Sequence, residues 1–132
     1  MARFEVQTRE RVIFVDITTQ VTAEAAQSGI RDGAVVVYVP HTTAGVTINE
    51  NADPSVRADM KLALERMVPE DLLFTHAEGN ADAHVKASLM GSSVTVPLAD
   101  GRLLLGTWQG VYFAEFDGPR RRRVLVTVLA AG

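Results

Sequence analysis

One continuous apolar stretch decides the architecture of the chain, and it reads Ala34-Val35-Val36-Val37-Tyr38-Val39. An apolar run of this length is typical of a strand in the centre of a sheet, buried on both faces. Pro40 follows it and ends the strand, because proline has no N–H to donate to a sheet ladder. Further strands are therefore expected on both sides, and His41 stands directly beyond the strand's end.

Shorter β-type segments lie towards both ends of the chain. Two near the N-terminus, at residues 4–7 and 12–17, flank a polar stretch and predict a hairpin. Turn signals in the C-terminal third lie at Asp100-Gly101 and Asp117-Gly118-Pro119. The remaining predicted strands cover residues 44–48, 94–98, 103–105, 112–116 and 124–129.

Helical patterns separate these strands. A short helix through residues 23–27 has Thr18, Thr19 or Thr22 as its N-cap and Gly29 or Gly33 beyond its end. A second begins after Asp53-Pro54, closes at Pro69, and carries an apolar face of Val56, Met60, Ala63, Leu64 and Met67. A third starts near Asn80 or Asp82 and runs to Met90. The sequence thus predicts one α+β domain over residues 1–132, a mainly antiparallel sheet or sandwich with two or three helices.

Composition narrows the possible functions. The chain has 132 residues, 47% hydrophobic and 22% charged, and no cysteine, which excludes disulfides and thiolate metal sites. The formal charge of −3 argues against attraction to nucleic acid or to an anionic membrane. No run of 18 apolar residues and no secretory h-region is present, so we expect a cytoplasmic protein.

The three histidines all lie at the ends of predicted elements. His41 follows the buried strand, His76 lies in a loop, and His84 is in the first turn of the third helix. Strand ends and helix starts are common places for binding sites, so the three imidazoles are expected to converge in one pocket. A structural or surface role for each histidine is the alternative.

Acidic residues accompany these histidines. Residues 50–82 contain half of the 16 carboxylates, with Glu50 and Glu78 the better candidates for a site. Imidazole with carboxylate suits Zn²⁺ or Mn²⁺, whereas carboxylate with amide suits Mg²⁺. A divalent metal is therefore expected, although solvated helix faces would account for most of these acids.

Three further segments carry polar or aromatic side chains that suit a ligand. Thr42, Asn49 and Glu50 belong to an unusually polar segment beside the central strand. Trp108 and Gln109 lie between two glycines and would form either a stacking wall or a core position at a bulge. Arg120 opens a run of four arginines, which either grips phosphate or is a solvated hairpin. Strand alternation directs Arg120 into the pocket and Arg121 away from it.

Taken together, these segments resemble the YjbQ family over nearly the whole chain. The resemblance rests on the segments at residues 41–44, 48–51, 83–84, 91–93 and 105–109, on His76, Asn80 and Glu115, and on residues 118–120. It implies a compact α/β sandwich-like fold, a homotrimer, and a secondary thiamine-phosphate synthase activity. The family's polar signature falls on His41, Thr42, Asn49, Glu50, His76, Asn80, His84, Trp108, Gln109, Glu115 and Arg120.

From this signature we assign expected roles. His41, Glu50, His84 and Glu115 are the expected catalytic groups, and His41, His76 and His84 the expected metal ligands. The remaining residues are expected to bind a small phosphorylated substrate, with Arg120 on phosphate and Trp108 against a pyrimidine ring. Two alternatives stay open: a metal-dependent hydrolase of a phosphorylated metabolite, and a trimeric anion-binding protein without catalysis.

Overall fold

The computed structural model describes all residues, 1–132, as eight strands and three helices. Their order along the chain, β-β-α-β-β-α-α-β-β-β-β, agrees with the sequence prediction. The helices are α1 (Thr18–Gln27), α2 (Pro54–Met67) and α3 (Ala81–Met90). The strands are β1 (Ala2–Gln7), β2 (Ile13–Asp16), β3 (Gly33–Tyr38), β4 (Ala44–Glu50), β5 (Ser93–Ala99), β6 (Arg102–Leu103), β7 (Gln109–Glu115) and β8 (Arg121–Ala130).

Two antiparallel sheets form the body of the protein. The larger has the order β1-β8-β3-β5-β6 and the smaller β2-β7-β4. The apolar strand β3 is central in the larger sheet, as the sequence predicts, with β8 on one side and β5 on the other. Strand β7 is central in the smaller sheet, where Ala44 of β4 pairs with Glu115 and Glu50 pairs with Gln109.

The main core lies between the two sheets and α1. Val35 and Val37 of β3 are completely buried there, in the same core as Val111 and Phe113 of β7. Alternate residues of β3 face the other way, and Tyr38 remains 44% exposed. In a single chain, therefore, the central strand is fully buried on one face only.

The predicted N-terminal hairpin is wrong. Strand β1 pairs with β8 in the larger sheet, whereas β2 pairs with β7 in the smaller one. The polar stretch between β1 and β2 thus crosses from one sheet to the other. The same is true of the Asp117-Gly118-Pro119 segment, which connects β7 to β8.

Helix α2 begins as predicted but is only loosely buried. Asp53 caps it by accepting a hydrogen bond of 2.9 Å from the N–H of Ser55. None of its residues is fully buried, and only Met60 and Leu64 of its apolar face pack against the smaller core under α3. Neither this helix nor the other two has the length and apolar composition needed to cross a membrane.

Candidate functional site

A polar cleft of about 410 Å³ opens where β3 and β7 end and α3 begins. All three histidines line it, together with Thr42, Asn80 and other polar residues. An adjoining cleft shares His41, Thr42 and His84 and continues along α3 to Ser88 and Ser92. The structure therefore brings together the histidines that the sequence places at element ends. The other residues lining the first cleft are Pro40, Thr43, Glu78, Asp117, Arg120 and Arg122.

His41 is held in one orientation by the backbone of β8. Its Nε2 accepts a hydrogen bond of 2.9 Å from the N–H of Arg123, so this nitrogen carries no proton. Burial, reinforced by the positive charges of Arg122 and Arg123, lowers the pKa of His41 below its ordinary value. The neutral ring then carries its proton on Nδ1, which makes His41 a hydrogen-bond donor towards a ligand.

His76 and His84 form a pair across the cleft. Their rings meet edge to face with centroids 5.1 Å apart, and Nε2 of His76 lies 3.9 Å from Oε2 of Glu78. Neither imidazole makes a hydrogen bond through its side chain to another group of the chain. Both rings therefore keep their nitrogens available to a ligand.

The expected three-histidine metal site does not fit this geometry. No group of three histidine, aspartate or glutamate side chains is arranged to hold a metal ion. His41 is unsuitable because its Nε2 lone pair is occupied and its Nδ1 carries the proton. His76 and His84 keep free ring nitrogens, so they would supply at most two protein ligands to a divalent ion, with water completing its coordination.

A buried ion pair lies beneath the cleft. Arg122 donates from Nε to Oε1 of Glu115 at 2.8 Å and from Nη2 to Oε2 of the same carboxylate. The side chain of Arg122 is 7% exposed and that of Glu115 is fully buried. Nη2 also donates to Oγ1 of Thr43 at 2.8 Å, while Nη1 donates to no group of the chain. Arg122 is thus fixed on one edge and has free N–H groups on the other.

Glu115 has no capacity left for catalysis. Besides Arg122, its Oε1 accepts from the hydroxyl of Thr8 at 2.8 Å and its Oε2 from the N–H of Asp117 at 3.0 Å. Both oxygens are thus satisfied, and the residue does not line the cleft. Its expected catalytic role is corrected to a positioning role, because a fully bonded buried carboxylate cannot reach a substrate.

Arg120 lines the cleft, as alternation predicts, but is tied to Asp117. Its Nε donates to the Asp117 carbonyl at 2.8 Å and its Nη2 to Oδ2 of the same residue at 3.0 Å. Arg121 points to the opposite face of β8, where it lies 3.6 Å from Glu5. Of the two, only Arg120 is therefore placed to meet a ligand in the cleft.

Close packing of α3 against β4 builds one wall of the cleft. A Cβ on Gly45 would lie only 2.4 Å from the carbonyl oxygen of Gly91, so only glycine permits this approach. The N–H of Val46 donates to that same carbonyl at 3.1 Å. The glycine therefore fixes the end of α3 beside the strand that follows His41.

The other side of α3 is anchored by buried charges. Asp82 accepts two hydrogen bonds from Arg11, at 3.0 and 3.3 Å, and a third from Lys86 at 3.1 Å. Burial opposes ionisation of Asp82, but these partners outweigh it and lower the pKa of Asp82. The carboxylate is thus a structural anchor that positions His84, two residues further on.

Four expected site residues lie elsewhere in the chain. Asn49, Glu50, Trp108 and Gln109 cluster at the opposite end of β4 and β7. Ala44 and Glu50 are six residue steps apart along β4, a distance of about 20 Å. Glu50 accepts the N–H of Ala52 and Gln109 accepts that of Gly106, as in ordinary turns. One chain therefore does not place these four residues in the histidine cleft.

Sequence reasoning missed three cleft residues, Thr43, Asp117 and Arg122. Alternation along β8 offered one signal, since it places Arg122 on the same face as Arg120. Nothing local distinguishes the buried arginine of the run from its exposed neighbours. Its burial follows from the position of Glu115 on another sheet.

The fold and the cleft define a class of small two-sheet α+β domains with an open site rich in histidine and arginine. The chain matches the UPF0047 protein YjbQ-like family over residues 2–131, and it belongs to that family.

Similar sequences and crystal structures support this family membership. A UPF0047 protein of Methanocaldococcus jannaschii is 52% identical over 96% of this chain and 92% of its own length. UPF0047 protein YugU of Bacillus subtilis is 48% identical, covering 95% and 96% respectively. The crystal structure of a YjbQ/UPF0047 protein from Clostridium acetobutylicum superposes with a TM-score of 0.96 at 49% identity, covering 98% of this chain and all of that one. A YbjQ-like protein of unknown function from Sulfolobus solfataricus gives 0.95 at 31% identity, covering 98% and 96%.

Proposed function

We propose that the histidine cleft binds a small phosphorylated molecule and catalyses an alkyl transfer of the thiamine-phosphate synthase type. The observation that carries this proposal is the convergence of Arg120, Arg122 and three histidines on one open cleft. Guanidinium and imidazole N–H groups are suited to phosphate oxygens. The type of reaction is the one implied by the resemblance to the YjbQ family.

In this reaction, the nitrogen of a thiazole phosphate attacks the methylene carbon of hydroxymethylpyrimidine pyrophosphate. A C–N bond forms, the C–O bond to the pyrophosphate breaks, and pyrophosphate leaves with the electron pair. The chief demand on the protein is stabilisation of that developing negative charge. Arg120, Arg122 and Nδ1–H of His41 would meet it, because each offers N–H donors to the cleft.

A divalent ion remains part of this proposal. His76 and His84 would hold it, with Glu78 nearby, and bound metal would help neutralise the pyrophosphate charge. The amide of Asn80 would contact the substrate from the start of α3. Asn49, Glu50, Trp108 and Gln109 have no role within one chain, because they lie at the other end of β4.

A homotrimer is also proposed, with its contacts on the outer face of the larger sheet. Tyr38 and Leu129 on that face are 44% and 54% exposed, and Leu125 pairs with Tyr38 beside them. Further copies of the chain would cover these apolar side chains. Arg123 lies on the same face, and its backbone N–H donates to His41. The contact between subunits would therefore border the cleft. Sedimentation at micromolar concentration should show a species with three times the chain mass of 14.3 kDa. A single species of 14.3 kDa would contradict the trimer.

The activity test supplies both substrates to the full chain, with and without Mg²⁺, Mn²⁺ or Zn²⁺. Mass spectrometry should detect thiamine phosphate, and a coupled assay should detect pyrophosphate in equal amount. His84→Ala should abolish both products, while Arg121→Ala, on the opposite face of β8, should leave them unchanged. Pyrophosphate release without thiamine phosphate would contradict the transfer.

The second candidate is a metal-dependent hydrolase of a phosphorylated metabolite. The close His76–His84 pair favours it, because two imidazoles together with bound water suit a metal that activates water. Orthophosphate release from a phosphate monoester after metal addition would identify it. Binding without turnover of either substrate class would instead indicate a non-catalytic anion-binding protein.

A further inference from the structure

The floor of the cleft contains one buried cation with unused donors. Arg122 is 5% exposed, yet its Nη1 donates to no protein group, while Nε and Nη2 are committed to Glu115 and Thr43. Nη1 is not itself buried without a partner, so its N–H groups are open to the cleft. A charged donor that is held in place and faces the cleft is suited to an anion bound there.

The wall of the same cleft contains one unused acceptor. Oδ1 of Asn80 is buried and has no hydrogen-bond partner in the chain. Its orientation is unambiguous, because Nδ2 donates at 2.8 Å to Oδ2 of Asp117, and a carboxylate can only accept. Exchanging the amide atoms would turn a carbonyl oxygen towards that carboxylate. The free atom is therefore an acceptor and needs a donor.

We infer that the ligand has two recognised ends, an anionic group on Nη1 of Arg122 and an N–H or O–H donor on Oδ1 of Asn80. This inference rests on the proposed function and narrows its substrate class to phosphorylated molecules that also carry a hydrogen-bond donor. Arg122 then anchors the phosphate from the cleft floor, and Arg120 supports it from the rim, where Asp117 holds it. Asn80 rejects ligands of similar shape without the donor, because its buried acceptor would stay unpaired.

The test uses phosphate monoesters that differ only in the donor. One pair is 2-hydroxyethyl phosphate and propyl phosphate, and the other is 3-hydroxypropyl phosphate and butyl phosphate. Calorimetric titration of the full chain should show at least one hydroxylated ester binding about tenfold tighter than its alkyl partner. Asn80→Ala should abolish that preference while changing the affinity for the alkyl ester less than about twofold. Asn51→Ala, at the other end of β4, should keep the preference.

A second measurement follows Arg122 without any substitution. Guanidinium ¹⁵N resonances of the wild-type chain should show the Arg122 Nη1 signal moving during titration with propyl phosphate, while those of Arg121 stay in place. This readout is independent of whether the Asn80 variant folds. Movement of Arg120 alone would overturn the anchor assigned to Arg122.

The remaining outcomes separate this inference from the function on which it rests. Equal affinity within both ester pairs would overturn recognition by Asn80 while leaving an anion site in place. A preference that survives in Asn80→Ala would overturn it as well. If no phosphate monoester binds to the wild-type chain, the proposed function and this inference both fail.

Discussion

Nε2 of His41 accepts the backbone N–H of Arg123 at 2.9 Å, and this contact ties the end of β3 to β8. A protonated imidazole cannot accept, so the hydrogen bond exists only while His41 is neutral. Burial, with the charges of Arg122 and Arg123, lowers the pKa of His41 below its ordinary value of 6.5. Protonation of His41 at low pH therefore breaks a contact between β3 and β8 and adds a positive charge to the cleft.

The first prediction concerns the pH dependence of stability. Below about pH 6.5, His41 is protonated in the unfolded chain but still neutral in the folded chain, because its folded-state pKa is lower. The free energy of unfolding therefore decreases as the pH falls towards that folded-state pKa. Above that window the contribution is constant. Chemical denaturation between pH 7.5 and 5 should show this slope, and His41→Gln should reduce it. Thr42→Ala, which alters the exposed neighbour without changing an ionisable group, should keep it. Identical slopes in wild type and His41→Gln would contradict the prediction.

The second prediction concerns the buried pair of Arg122 and Glu115. Glu115→Leu leaves the guanidinium without its counter-charge, so it should lower the free energy of unfolding by about 3–5 kcal/mol. The double variant Glu115→Leu/Arg122→Met should recover most of this loss, because neither charge remains. Urea denaturation measures both. Glu5→Ala removes the partner of exposed Arg121 and should change stability little. A double variant no more stable than the single one would argue against the pair.

The third prediction concerns His84. The ring is half-buried and makes no side-chain hydrogen bond within the chain, so folding depends little on it. His84→Ala should abolish binding of phosphate esters or of metal while lowering the free energy of unfolding by less than about 1 kcal/mol. Calorimetric titration and denaturation of the same variant provide the two values. Retained binding would place His84 outside the site, and a loss of several kcal/mol would make it a structural histidine.

The fourth prediction compares Arg120, which directly precedes β8 and lines the cleft, with Arg121, the first residue of β8. Arg120→Lys should weaken binding of inorganic pyrophosphate about tenfold, because lysine cannot present two parallel donors to the anion. Arg121→Lys should leave the affinity unchanged, since Arg121 faces Glu5. Calorimetry with both variants under the same salt conditions measures the difference. Equal small effects would make the arginine run a solvated segment.

The local elements of the fold were predictable because their signals lie within a few residues. The apolar run of β3, the Asp53 cap of α2 and the turn at Asp100-Gly101 each depend on neighbouring side chains alone. The positions of the histidines at element ends followed from the same information. Membership of the YjbQ family was visible in the collinear polar segments.

Strand pairing and the composition of the cleft depended on the tertiary structure. The sequence alone could not show that β1 pairs with β8 and β2 with β7, because alternation specifies a buried face and not a partner. Nor could it separate Glu50 from the histidines, since chain order does not reveal which end of a strand meets a helix. Among four adjacent arginines, only Arg122 meets Glu115 from the other sheet. Local patterns determine elements through short-range sterics and hydrogen bonds, whereas the site arises from contacts between residues far apart in the chain.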